Sequence, residues 1–338
     1  HCQDLAFLQH ILFRQSHDLI SMDAHSRRNL EIDLRSNGAT DHTLLSLMDT
    51  TVTAMGSRLL QRWLHEPSRD LNTVQQRQQW VTQALSENAF LQVRETLQPI
   101  GDLQRILTRI DLGSAQPRDL ARLRETLKQL PLVYAALMAV DHPTSHQLAS
   151  QLTNFEALAE RLTNAVVDNP PVTLRDGGVI AAGYNNELDR LRELTTHSAD
   201  WLANMELQER ERTGISSLKV GYNRVHGYYI ETSKAAKGEV PDEYVRRQTL
   251  KNAERYITPE LKAFEEEALS SQSKSMQLER TLFGDLLIEL AQHSSRLRDA
   301  ANALAQSDVL ACFAERAKAL DFCCPNFSDE TRINIQQG

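Results

Sequence analysis

At 338 residues the chain is long enough for two or three domains with cores of their own. It carries a formal net charge of −8 and is 41% apolar but only 6% aromatic, with abundant Leu, Ala, Gln, Glu and Arg, a composition that favours helices. Its longest uncharged apolar stretch, Leu130 to Val140, is about half the roughly 20 residues a membrane span needs, and Cys2, Cys312, Cys323 and Cys324 show no CxxC spacing, so a soluble, reduced cytosolic protein is expected and a disulfide scaffold excluded.

In chain order, Leu5 to Phe13 is an apolar run, and Met22 to Leu30 reads as a strand turning into a helix start with Asp23 or Ser26 as cap. Residues 36–42, SNGATDH, are a loop by composition. From Thr43 to Leu64 apolar residues fall at helical spacing, with Thr53 as a helix start, and Pro67 ends the segment. Helices are expected over Leu71–Leu85, Phe90–Leu97, Leu103–Ile110, Pro117–Leu130, Leu132–Val140 and Gln147–Val166. Gly177, Gly178 and Gly183 then frame a short strand, Val179–Ala182. No lysine follows the glycine pair and GxxxxGK[ST] is absent, so this is a turn rather than a phosphate loop.

Two long helices follow. Asn186–Thr213 contains neither Gly nor Pro and would extend about 42 Å, stopping at Gly214. From Pro259 to Leu320 a helical pattern would reach about 93 Å unbroken, so a break is expected between Gly284 and Ser295. Thr258-Pro259-Glu260 supplies its N-cap, first-turn proline and acid. The helix is apolar-poor over Glu265–Arg280 and apolar-rich from Leu282 to Phe313, so one end is solvated and the other rooted in a core. Glu265-Glu266-Glu267 reads as a solvated face, and INIQQG at 333–338 as part of a strand.

Between the long helices, residues 215–258 are unlike the rest. Leu218–Asn223 and His226–Thr232 have a hairpin pattern, Gln248–Ile257 is a third strand-like run, and five of the seven tyrosines fall here: Tyr222, Tyr228, Tyr229, Tyr244 and Tyr256. The segment is net basic on an acidic chain, an electrostatic footprint for a polyanion. Lys219, Arg224, Arg246, Arg247 and Lys251 can meet phosphates, while Asn223 and Asn252 can hydrogen-bond backbone oxygens. The plainer alternative is that Arg246, Arg247 and Arg255 pair with Glu239, Glu243 and Glu254. No catalytic or metal motif is present; His142 and His146 have i,i+4 spacing but Pro143 between them and no third ligand nearby.

Six stretches carry a resemblance. SMDAHSRRNLEI, TAMGSRLLQRWLHEP, GDLQRILTRI, PPVTLRDGGVIAAGYNNELDRLRE, ERERTGISSLKVGYNRVHGYYIE and YVRRQTLKNAERYITPELK, in this order, resemble the bacterial DNA mismatch-repair MutS family over about residues 15–335. The resemblance implies a mainly α fold: a helical core, two long antiparallel lever helices and a small inserted α+β clamp, mostly antiparallel β. Implied boundaries are a connector tail at 1–21, core and outgoing lever at 22–198, clamp at 199–258, returning lever and core at 259–322, and the start of a link to an ATPase domain at 323–338. It also implies that Asn223, Arg247, Lys251 and Asn252 contact the DNA sugar-phosphate backbone without reading bases.

The family's mismatch reader and ATPase domain are not expected within this sequence, which reads as a fragment; the literal Phe-x-Glu at Phe264–Glu266 lies on the returning helix and is set aside. The segment is therefore expected to be no enzyme and to hold no cofactor, with ATP and Mg belonging to the longer protein. Expected partners are double-stranded DNA, a second copy in the full-length homodimer and MutL for the longer protein, in a bacterial, nucleoid-associated cytoplasmic setting. The rival reading is a coiled-coil scaffold whose tip, through Tyr222, Tyr228 and Tyr229, binds protein.

Overall fold

The computed structural model describes residues 19–223, 227–234, 240–327 and 333–336, and of residues 194–199 the backbone. Among these the helices are α1 (Ala24–Asn29), α2 (Leu44–Met48), α3 (Ala54–His65), α4 (Leu71–Leu85), α5 (Ala89–Leu97), α6 (Leu103–Asp111), α7 (Pro117–Met138), α8 (Pro143–Ser150), α9 (Glu156–Ala165) and α10 (Asn186–Thr213). Strands β1 (Lys219–Asn223), β2 (Gly227–Ser233), β3 (Val245–Thr249) and β4 (Ala253–Ile257) follow, then α11 (Pro259–Gln292) and α12 (Ser294–Ala319). The fold is mainly helical with one small antiparallel sheet, the class expected. It divides into two compact units, His1–Thr163 with Leu287–Gly338, and Asn164–Leu286.

In the first unit, most helices start where a side chain can accept an orphan amide, α5 and α12 being exceptions. Asp23 accepts from Ser26 N at 2.7 Å and Thr53 Oγ1 from Gly56 N at 2.9 Å, as the sequence predicts. Residues 22–23 ahead of α1 form no strand. Thr43 and Ser46 make a reciprocal capping box that starts α2, so the helical pattern over 43–64 is two helices separated at Asp49–Thr53, the second starting at Thr53 as expected. The core is built on α12, against which α3, α4, α5, α6 and α8 pack. Its buried face alternates Leu297, Leu304 and Val309 with Ala300, Ala301, Ala303 and Ala305, and the small residues let neighbouring helices approach closely. Asp308, fully buried, accepts from Val52 N (3.0 Å), Thr53 N (2.8 Å) and Thr53 Oγ1 (2.6 Å), tying α12 to the start of α3.

Two helix expectations are corrected. Pro117–Leu130 and Leu132–Val140 form the single helix α7: Pro131 is exposed, while Leu123, Leu127, Leu130, Val133 and Leu137 keep the buried stripe continuous through it, so packing outweighs the lost hydrogen bond. Gln147–Val166 is instead α8 and α9, separated where Asn154 takes a left-handed conformation (φ 63°). Further on, Val179–Ala182 makes only an isolated bridge, Val166 with Ile180. Ile333 and Ile335 are exposed and residues 333–336 form no strand. The apolar run Leu5–Phe13 and the end of INIQQG lie outside the described residues.

The second unit holds the long helices. α10 is closed by Gly214 (φ 68°) as its C-cap, and α11 is capped by Thr258, whose Oγ1 accepts from Leu261 N at 3.1 Å. They run antiparallel: Arg192 of α10 meets Glu279 of α11 at 2.8 Å, and nearer the sheet Trp201 stacks on Phe264 at 3.9 Å, 7° from parallel. The break between α11 and α12 falls at His293, inside the predicted interval, and Gly284 stays helical. Glu279 is the chief buried polar group here. Its carboxylate accepts from Gly178 N (3.0 Å), Val179 N (2.6 Å) and Ile180 N (2.8 Å) as well as from Arg192, and Gly177 and Gly178, at φ 70° and 74°, bend the chain around it. The glycine pair is thus a turn, with a carboxylate already in its mouth.

Candidate nucleic-acid interface

The sheet has the order β1-β2-β4-β3. The run Gln248–Ile257, expected as one strand, is a hairpin: Leu250 N donates to Ala253 O at 2.8 Å, and β4 lies between β2 and β3. One face buries Ile230, Tyr256, Leu218 and Tyr244 against Met205 and Leu261 of the long helices. Two turns of α10 fasten it. Glu206 accepts from Val220 N at 2.8 Å, Arg210 Nε donates to Leu218 O at 2.7 Å, and the Tyr244 hydroxyl donates to Glu209 at 2.5 Å. Burial, and then Glu209, hold the Tyr244 phenol well above its ordinary value.

The opposite face carries a row across all four strands: Lys219, Glu231, Arg255 and Gln248. Arg255 donates to Glu231 at 2.8 Å and to Gln248 at 3.1 Å, and its guanidinium lies 4.1 Å above the Tyr229 ring. Gly221 makes room for that ring, since a Cβ there would stand 3.1 Å from it.

The predicted contact residues fall into two groups at opposite ends of the sheet. Asn223 ends β1 at the β1–β2 connection. Lys251 and Asn252 form the β3–β4 turn at the other end, beside Lys234, whose amide donates to Asn252 O at 3.1 Å. The six steps from Gly227 to Ser233 put the ends about 20 Å apart. Lys251, Asn252, Lys234 and Lys219 are all exposed, and none makes a side-chain ion pair among the described residues. Arg224 lies outside the described residues.

Arg246 and Arg247 are held differently. Arg246 pairs with Glu254 at 3.3 Å, one of the pairings the plainer alternative expected. Arg247, the extra residue where the β3–β4 register shifts between Arg246 and Gln248, is aimed away to Glu265 of α11 at 3.3 Å. Arg255 pairs with Glu231, not with an acid the sequence suggested. Glu265 is the residue sequence reasoning missed. Its exposed neighbours Glu266 and Glu267 suggested a solvated face, yet its side chain is only 14% exposed. Phe264 is also structural: beyond Trp201 it meets Tyr228 edge-on at 5.6 Å, and Tyr228 meets Tyr222 at 4.8 Å.

Among the described residues no group of three or more His, Cys, Asp or Glu is placed to hold a metal, and no helix is long and apolar enough to cross a membrane. His142 caps α8, its Nδ1 accepting from Thr144 N at 3.2 Å.

A helical core joined in sequence to a long helix pair that bears a cation-edged sheet is the design of a core-and-lever protein. The family model for MutS domain III matches residues 25–314, and the chain belongs to that family: it is a core and lever region of a DNA mismatch-repair protein. DNA binding and dimerisation are general to the family.

Proposed function

We propose that the sheet is a clamp that grips the sugar-phosphate backbone of duplex DNA without reading its bases, and that α10 and α11 are levers coupling this grip to mismatch-reading and ATPase domains of a longer protein. One observation carries the grip: Lys251 and Asn252 stand exposed on a tight turn beside Lys234, two cations and an amide donor gathered for phosphate oxygens. The aromatic series Tyr222, Tyr228, Phe264, Trp201 supports the coupling, since it ties the β1–β2 hairpin to both levers. On this reading the segment performs no catalysis and holds no nucleotide. ATP, Mg and MutL belong to the longer protein, as does the homodimer, working in the cytoplasm at the nucleoid.

The test is titration of fluorescent duplex DNA, with and without one mismatch, at several salt concentrations. Binding should be weak, indifferent to the mismatch, and fall with a log–log salt slope of about −2 to −4, reduced by about one unit in Lys251→Ala. Binding that ignores salt would overturn the grip and favour a protein-docking tip through Tyr222, which is half exposed.

A further inference from the structure

We propose that Glu265 is a built-in rival of the DNA phosphates for Arg247 and so sets how tightly the clamp holds DNA. The inference rests on the grip proposed above and adds to it a residue on the lever, outside the cationic set.

The geometry is that of a slot. Gly227 opens it: a Cβ at this position would stand 1.9 Å from Glu265 Oε1 and 3.0 Å from Arg247 Nη1, and its φ of +71° also favours glycine. Into the slot come Arg247 from the irregular point of β3 and Glu265 from the second turn of α11. The two meet at 3.3 Å between Nη1 and Oε2, with side chains 31% and 14% exposed. That contact lacks hydrogen-bond geometry, and Oε2 is buried without a hydrogen-bond donor among the described residues. Tyr228 lines the slot; burial, then Tyr222 and Glu265, push its phenol above the ordinary value.

A carboxylate with one oxygen, Oε2, buried and without a hydrogen bond among the described residues is under-satisfied, and it keeps its hold on Arg247 mainly because leaving that oxygen alone would cost more. A phosphate offers the same guanidinium a fork of short, charge-assisted bonds. Glu265 and a DNA phosphate therefore compete for Arg247, and every phosphate contact it makes is offset by the contact with Glu265 that it gives up. The lever carries the internal partner. Any change of the α11 start relative to the sheet would alter the clamp's affinity through this pair.

The test uses the 338-residue chain and the salt-dependent DNA titration. Glu265→Gln keeps the shape and removes the charge; it should raise affinity about 2- to 5-fold, the worth of one partly exposed ion pair. The same change in an Arg247→Ala background should do nothing. Unchanged or weaker binding by folded Glu265→Gln, or an equal rise without Arg247, overturns the proposal, the last because it would reflect net charge alone. If Glu265→Gln does not fold, Glu265→Asp draws the carboxylate back by one methylene and should shift affinity in the same direction; no rise there overturns the proposal too. Lys251→Ala separates the two readings. If it flattens the salt slope while the Glu265 variants bind like the parent, only the rivalry falls; if the parent's binding ignores salt, the grip falls and the rivalry with it.

Discussion

Replacing Glu279 with alanine should loosen the 178–180 turn far more than any neighbouring surface change. The side chain is 4% exposed and accepts three backbone amides plus Arg192. Val179 and Ile180 are fully buried, so without the carboxylate their amides have no water at hand. A buried donor left unsatisfied costs about 1–3 kcal/mol, and breaking a buried ion pair costs about 3–5 kcal/mol. Arg192 is 27% exposed and can be rehydrated, which tempers the total to about 3–5 kcal/mol. Backbone hydrogen exchange reads this locally: protection of Val179 and Ile180 should fall by about two to four orders of magnitude. Glu279→Gln, which keeps one acceptor oxygen, should lose less. Unchanged exchange at these two amides in Glu279→Ala would refute the reasoning, because it would mean that the β-bridge to Val166 holds the turn unaided.

Gly56→Ala should destabilise the first unit by about 1–3 kcal/mol although alanine is the better helix former, because its Cβ would lie 2.2 Å from the Asp308 carboxylate; a stability gain in urea unfolding would contradict this. Burial raises the Asp308 carboxyl above its ordinary value, against hydrogen bonds from Thr53 and Val52 that lower it. The folded state therefore holds that proton more tightly than the unfolded chain. The contribution is fully present below the unfolded value and is lost as pH rises through the raised one. Parent stability minus that of Asp308→Asn should thus decrease with rising pH across the acid range and then level off; a difference that grows with pH would show the sign to be wrong.

What the sequence makes legible here is what is local. Asp23, Thr53, Thr258 and Gly214 act within four residues of themselves, and each does what its type and position suggest. The buried stripe from Leu286 to Val309 is equally readable, being a periodicity. Side chains that act at a distance are not. Glu279 finds the Val179 amide 100 residues away, and no pattern near either one signals it. Pro131 misleads because a proline's local cost says nothing of the core that holds its helix straight. The expected contact residues are legible as types and not as places: Asn223 and Lys251 share a short basic segment, yet strand pairing sends them to opposite ends of the sheet.

The fastening of β1 has a consequence for the company the sheet can keep. An edge strand normally offers a row of outward amides and carbonyls to any extended chain that drifts past, which is how sheets recruit strangers and polymerise. Here Glu206 occupies the outward amide of Val220 and Arg210 the carbonyl of Leu218, while the far edge is made irregular by the β3 register shift and carries the exposed Arg246. Both margins are thereby blunted against a fifth strand. A small, half-exposed sheet set among long helices can thus remain four strands wide in a crowded cell, its approach left to side-chain chemistry alone.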